Sequence, residues 1–452
     1  MSQSPAVSSP YPWLRDSEER GLFLIRLLDE CASSVAAGNV ENADISLERI
    51  SLLASPDGDP LQRIAAYFTE ALADRMLKGW RGLYRALNST KLSSVPEAVL
   101  VHRLFFELCP FLKLSYVVTN QAIVEAMEQE KYVHIIDLNP LEPAQWIDLL
   151  HTLSARPEGP PHLRITGIHE QKEVLDQMAA RLTEEAEKLN IAFQFVPIVS
   201  KLEDLDLQTL RVKNGEALAV SSVLQLHSLL ATDDETLKRS MPHLSRLQDS
   251  PHVPRFLNVN QNHRTLGEWL ENESAPVYSP SPDSALSPLS LAASPKMGTF
   301  LSSLYSLSPK LVVITEQEAD HNGDNLMERV TQTLYFYATL FDCLECTVPR
   351  ASLERQKLEK LLFGGEIKNI VACEGMERKE RHEKLEKWTL RLELAGFGNV
   401  PLSYHGMLQA NRLLRSYGIN GYKIKEVNGC LAICWQSKTL FSVSAWRYRR
   451  HD

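Results

Sequence analysis

The stretch Tyr132-Val133-His134-Ile135-Ile136-Asp137-Leu138 constrains the fold more than any other. Five of its seven residues are apolar, β-branched side chains dominate, and polar residues bracket it. That is the pattern of a strand buried on both faces of a parallel sheet. Asn139-Pro140-Leu141-Glu142-Pro143-Ala144-Gln145-Trp146 then reads as a turn, and Trp146, Leu149, Leu150 and Leu153 form the apolar stripe of a helix. A β-α unit therefore opens at Tyr132.

In open α/β sheets a ligand usually sits where the first strand ends and the next helix begins. Here that loop has no glycine between Asp137 and Trp146, and Pro140 and Pro143 each remove a backbone N–H. A nucleotide or S-adenosyl ligand needs close backbone approach, which glycines permit. The position of a cofactor site is present without its usual chemistry, so no cofactor and no metal are expected. Asp137, with Glu170 at the end of the second predicted strand, remains the candidate pair for a pocket. The competing reading is that both tie strand ends to neighbouring loops.

Ahead of this unit, residues 21–130 read as helices. One stripe is Leu24, Leu27, Leu28, Cys31 and Val35, a second is Ala43, Leu47, Ile50 and Ala54, and a third is Leu61, Ile64, Ala65, Phe68 and Leu72. Behind it, strands are predicted at Leu163–Ile168, around Phe193–Val196, at Glu216–Val223 and at Leu311–Thr315, with a helix over Gln171–Leu189. Alternation of this kind gives an α/β fold with a mainly parallel sheet. Tyr422–Val427, Leu431–Trp435 and Leu440–Trp446 break the rhythm; Asn428-Gly429 marks an antiparallel hairpin. Between Asn272 and Pro309 five Ser-Pro pairs crowd a stretch poor in large apolar residues, which reads as a mobile inserted loop.

A net charge of −9 argues against a wholly basic nucleic-acid-coating surface. Seven cysteines without a framework suit a reducing compartment, and Cys343-Leu344-Glu345-Cys346 lacks the second pair that a zinc site needs. No signal peptide or membrane-spanning run is visible, so a soluble intracellular protein with no membrane association is expected. Leu-x-x-Leu-Leu occurs at 24–28, 226–230 and 358–362, the spacing of any core-facing helix. Arg378-Lys379-Glu380-Arg381-His382-Glu383-Lys384 mixes signs closely and reads as a solvated helix face.

These motifs converge on one family. Val133-His134-Ile135-Ile136-Asp137 resembles the signature of the plant GRAS transcriptional regulators, with leucine-rich helical regions on either side. Pro309, Phe336, Tyr337 and Glu366 match a second block, in which Gly365 stands where the family pattern has Arg. Trp388, Gly396, Trp435 and Ser444-Ala445-Trp446 match the terminal region. Segments 142–146, 156–167 and 396–404 resemble one subgroup of the family, and nothing before Glu19 resembles the gibberellin-sensing arm of its DELLA members.

The resemblance implies a Rossmann-like, methyltransferase-like sheet with an N-terminal helical cap. It divides the chain into a short N-terminus (1–18), a first leucine-rich region and cap (19–130), and the signature region (131–170). A second leucine-rich region (171–215), the second motif block (216–370, with the insert 272–308) and the terminal region (371–450) complete it. It further implies a nuclear, non-enzymatic co-regulator in gibberellin response and root endodermis development. The implied partners are zinc-finger transcription factors of the INDETERMINATE-domain class, DELLA and other GRAS proteins, with DNA contacted mainly indirectly. Partner contacts are expected at Arg26 on the first helix and at Arg381 and Lys384. The alternative is a methyltransferase-like enzyme or small-molecule sensor that uses the pocket beside Asp137 and Glu170.

Overall fold

The computed structural model describes residues 17–88, 95–231 and 294–449. These form two compact units, one from residues 17–88 and 323–374, the other from residues 95–231, 294–322 and 375–449.

The first unit is helical. Helices α1 (Ser17–Ala36), α2 (Val40–Ser51), α3 (Pro60–Lys78) and α4 (Arg81–Asn88) are joined by the helices Leu326–Thr347, Leu353–Leu358 and Gly364–Ala372. Asp59 and Gln62 form a capping box, and Pro60 starts α3, where its missing N–H costs nothing. Most residues of the predicted stripes are buried, Leu24, Leu27, Leu28 and Cys31 on α1, Ala43 and Ile50 on α2, and Ile64, Ala65, Phe68 and Leu72 on α3, while Val35, Leu47, Ala54 and Leu61 are half-buried. Each buried leucine, isoleucine or phenylalanine among them contributes roughly 1.5–3 kcal/mol. Beside this core Glu359, in a single π turn over Glu359–Phe363, pairs with both Arg63 and Arg355, all three being buried.

The second unit holds one nine-stranded sheet. Strands β1 (Tyr132–Asp137), β2 (His162–His169), β3 (Phe193–Val199), β4 (Ala217–Val223) and β5 (Leu311–Gln317) are parallel. Strands β6 (Phe397–Val400), β7 (Tyr422–Val427), β8 (Cys430–Trp435) and β9 (Lys438–Tyr448) follow. The order is β3-β2-β1-β4-β5-β9-β8-β7, with β6 also pairing β9. β9 runs antiparallel to β5 and sets Trp446 beside Val312. Asn428 and Gly429 both take positive φ, 51° and 79°, as the tight turn between β7 and β8 requires. Helices α5 (Val95–Leu108), α6 (Phe111–Ala126), α7 (Ala144–Ser154) and α8 (Lys172–Lys188) belong to this unit.

Two expectations need correction. The stretch read as a mobile Ser/Pro-rich loop ends in helix α9 (Pro295–Ser306); residues 272–293 of it lie outside the described residues. Met297, Phe300, Leu301 and Leu304 have helical spacing and pack into the core beside Ile314, Trp388 and Trp446. Pro295 sits at the start of α9, where proline is tolerated, so the Ser-Pro pair opens the helix. The charged block 378–384 is not a helix face, and four of its seven residues, Arg378, Arg381, His382 and Glu383, are buried.

Candidate functional site

At the end of β1 the chain closes on itself. Asp137 is buried; its Oδ1 accepts the Asn139 N–H at 3.0 Å and its Oδ2 accepts the Trp146 indole N–H at 2.6 Å. The Asn139 amide donates to the Val223 carbonyl at 2.9 Å, and the Leu138 N–H to the Ser221 carbonyl at 3.0 Å. The loop is thereby held against the end of β4. Burial lifts the Asp137 carboxyl to about 6, against the pull of its two N–H donors. On β2, Gly167 pairs with Asp137, and a Cβ added there would lie 2.6 Å from the Phe195 ring. Glu170 is exposed beyond the end of that strand.

The signature histidine has a structural task. Arg164 can only donate, so His134 Nδ1 accepts from its Nη2 at 3.0 Å and the Nε2–H donates to Thr166 Oγ1 at 2.8 Å. Arg164 in turn pairs with Glu216, which links β2 to the start of β4. Burial and the Arg164 cation pull the imidazole down to about 4, so it is neutral. Val133, Ile135 and Ile136 are buried.

A second polar cluster, with no counterpart in the sequence reading, lies beyond the ends of β4 and β5. His227 follows β4 in the 3₁₀ turn Leu226–Leu230. Its Nδ1 is 2.8 Å from Glu316 Oε2, and its Nε2 is 3.1 Å from Glu380 Oε2. Glu316 Oε1 accepts the N–H groups of Gln225 at 3.2 Å and Leu226 at 2.8 Å. His382 Nε2 is 3.2 Å from the same Glu380 oxygen, while its Nδ1 meets His321 Nδ1 at 3.0 Å. Burial opposes protonation of His227, but the two carboxylates outweigh it and raise its pKa well above the usual range. Burial, followed by the charge on His227, lowers that of His382. These residues come from segments about 60 to 155 positions apart and share no local motif; the only hint was that block 378–384 carries no apolar stripe.

The remaining motif residues are core or support. Tyr337 donates to Glu366 Oε2 at 2.5 Å, which ties two parts of the second motif block together, and Phe336 and Pro309 are buried. Gly365 is exposed, with open space where a side chain would point. Trp388, Trp435, Ser444, Ala445 and Trp446 are buried, and Trp446 Nε1 donates to Ser444 Oγ at 2.9 Å. Gly396 takes φ +94° against the Tyr305 ring. Cys343 is buried and Cys346 exposed, and Cys430 and Cys434 are both buried. Arg26 and Lys384 are exposed, but Arg381 is only 2% exposed, its donors taken by Arg378 O, Gly375 O and Asn322 Oδ1. Arg381 is therefore no surface contact.

A depression of about 140 Å³ is lined by Ala122, Leu311, Val400, Leu402 and Ala445 among others. It lies at the opposite end of the sheet from Asp137, beside the first residue of β5. Ligand pockets run to roughly 300–1,000 Å³, so it is too small for a nucleoside.

The GRAS domain family profile matches residues 24–447. This chain belongs to the GRAS domain family. It is 59% identical to Scarecrow-like protein 3 of Arabidopsis thaliana across 98% of this chain and 93% of that protein. It is 55% identical to the GRAS family protein TF80 of Medicago truncatula, covering 98% and 99% of the two chains. DELLA protein RGL1 of Arabidopsis thaliana is 32% identical, across 96% of this chain and 72% of that protein. The crystal structure of SCL7 from Oryza sativa matches with a TM-score of 0.71 at 28% identity, over 94% of this chain and 99% of that one. GRAS membership makes the protein a plant transcription regulator, and the mainly parallel, Rossmann-like sheet is the family's fold.

Proposed function

We propose that this GRAS protein is a nuclear transcription co-regulator that works as a protein-interaction scaffold and not as an enzyme. The observation that carries this reading is the closure at the end of β1. The Trp146 indole holds Asp137, and Asn139 and Leu138 fasten the loop to β4, where a cofactor-binding sheet would present free backbone N–H groups. Interaction surface is available instead. Trp80, Leu83 and Leu87 are 54%, 45% and 55% exposed at the beginning and along one face of α4, an apolar patch of the kind that marks a contact site. No helix among the described residues is long and apolar enough to cross a membrane.

The partners in this reading are DELLA and other GRAS proteins and zinc-finger factors of the INDETERMINATE-domain class, with a role in gibberellin response and endodermis development. Support for the GRAS-family partners comes from the likeness to Scarecrow-like protein 3 and to DELLA proteins. Two measurements test it. Calorimetry with S-adenosylmethionine and with NAD is expected to give no heat of binding. Quantitative pull-down from plant nuclear extract is expected to recover both partner classes. Micromolar binding of either ligand, roughly −8 kcal/mol, abolished by Asp137→Ala, would instead establish the methyltransferase-like or sensor reading.

A further inference from the structure

We propose that His227, Glu380 and His382 form a binding site for one divalent transition-metal ion, zinc(II) by the chemistry of its donors. The three residues offer two imidazole nitrogens and a carboxylate oxygen, all within 4.8 Å of one another. Zinc bonds of about 2.0–2.1 Å place the donors of a tetrahedron about 3.3 Å apart. Glu380 Oε2 is 3.1 Å from His227 Nε2 and 3.2 Å from His382 Nε2, so two edges of that tetrahedron already exist.

The outward-facing ring nitrogens are held as zinc-binding histidines require. A ligating imidazole usually passes its other N–H to a carboxylate or another acceptor, which fixes the ring and the tautomer. His227 Nδ1 does this to Glu316, whose other oxygen is anchored by three backbone N–H groups. His382 Nδ1 meets His321 Nδ1 at 3.0 Å, one ring donating to the other. Both Nε2 atoms are thereby turned toward one carboxylate oxygen. His382 Nε2 is fully buried and makes no hydrogen bond of good geometry among the described residues, although Glu380 Oε2 lies 3.2 Å away. Two nitrogens and a carboxylate oxygen converging this closely call for a positive charge between them, which a metal ion would supply in place of the proton that the carboxylates otherwise hold on His227.

Glu380 is 24% exposed, which gives an ion a route in. Imidazole and a single carboxylate favour zinc over magnesium or calcium, which need more oxygen donors. The site would clip the turn Leu226–Leu230 to the segment 378–384, two pieces brought together only by the ends of β4 and β5. The competing occupant is a proton on His227, shared by Glu316 and Glu380.

The test uses the purified full chain, stripped with chelator, gel-filtered and titrated with zinc or cobalt(II). One zinc per chain is expected after a second gel filtration, with a rise in melting temperature. The cobalt form is expected to show strong visible ligand-field bands without a thiolate charge-transfer band. Glu380→Gln should weaken zinc at least tenfold, and Glu316→Gln about 10–100-fold, as a supporting residue would. Cys346→Ser with Cys373→Ser should leave binding unchanged. Sub-stoichiometric zinc, a thiolate band, or zinc kept by Glu380→Gln and lost by the cysteine variant would each overturn the site. Should the glutamate variants fail to fold, the cobalt spectrum of the unaltered chain decides alone.

Discussion

The indole N–H of Trp146 donates to Asp137 at 2.6 Å, so the acidic residue that ends β1 is fastened to the first turn of α7, the helix that follows it. In a cofactor-binding α/β sheet an acidic group and open backbone at this place would face the ligand. Here the acid is spent on the protein's own fold, and the neighbouring His134 likewise binds Arg164 and Thr166. The two signature polar residues join strands, and their ionisation becomes a matter of stability.

Their pH dependences should oppose each other. Asp137 has a folded pKa raised to about 6, so its contribution is full below its unfolded value near 3.9 and is lost as pH rises through about 6. His134 has a folded pKa lowered to about 4, so its contribution is full above about 6.5 and is lost as pH falls toward 4. Denaturant unfolding of the parent, Asp137→Asn and His134→Gln between pH 4 and pH 7 separates them. The stability difference between parent and Asp137→Asn should shrink with rising pH, and that between parent and His134→Gln should grow. Equal slopes in the two series would show that neither group is perturbed as described.

Adjacent glycines in the second motif block should respond in opposite directions. A Cβ on Gly364 would meet the Tyr67 ring at 2.7 Å, so Gly364→Ala should cost about 1–3 kcal/mol through overpacking. Gly365 faces open space within the helix Gly364–Ala372. Gly365→Ala should stabilise by about 0.5–1 kcal/mol, and Gly365→Arg, which restores the family's residue, should be tolerated. Urea midpoints measure both; a stabilised Gly364→Ala would mean that the helix does not pack on Tyr67.

Trp446 is fully buried beside Val312 of β5 and among α9, Trp388 and Phe397. Trp446→Ala should therefore cost roughly 3–5 kcal/mol. Partner binding should fall only in proportion to the fraction unfolded, which calorimetric melting and binding on the same samples will show. A mutant of unchanged melting temperature that has lost its partners would make Trp446 a contact residue instead.

The central parallel strands were legible because burial on both faces leaves apolar runs, as in Val133–Asp137 and Leu311–Thr315, whereas the edge strand β3 is only partly buried. β6 escaped notice since Phe397-Gly398-Asn399-Val400 is short and half of it is turn-type residues; its place is set by β9. α9 was hidden by the Ser-Pro density around it, although Met297, Phe300, Leu301 and Leu304 carry the helical period. The burial of Arg381, Glu383 and His382 was not legible at all. A charge can be buried only where partners meet it, and those partners are Asn322, Arg391 and His321, the nearest eight and the others about sixty residues away.

We propose that partner binding divides between two surfaces, other GRAS proteins on the helices before Tyr132 and zinc-finger factors on the region from about Phe336 to Trp446. The burial of Arg381 changes how that division has to be tested. Arg381→Glu would set a carboxylate against the carbonyls of Gly375 and Arg378 and unfold the segment, so lost binding would say nothing about contact. Lys384, exposed just before the helix Leu385–Leu394, is the residue to reverse in the C-terminal region. Arg26, exposed on α1, is its counterpart in the helical unit. Reversing an exposed charge changes stability little, so both variants should melt with the parent. A charge at the rim of an interface acts mainly on association rate and salt dependence, so the effects should be largest at low ionic strength. Arg26→Glu should weaken pairing with other GRAS proteins several-fold and spare the zinc-finger partner; Lys384→Glu should do the reverse. Surface-immobilised binding of both partners to both folded variants at two salt concentrations decides between the arrangements, since a single shared surface would make each variant weaken both partners alike.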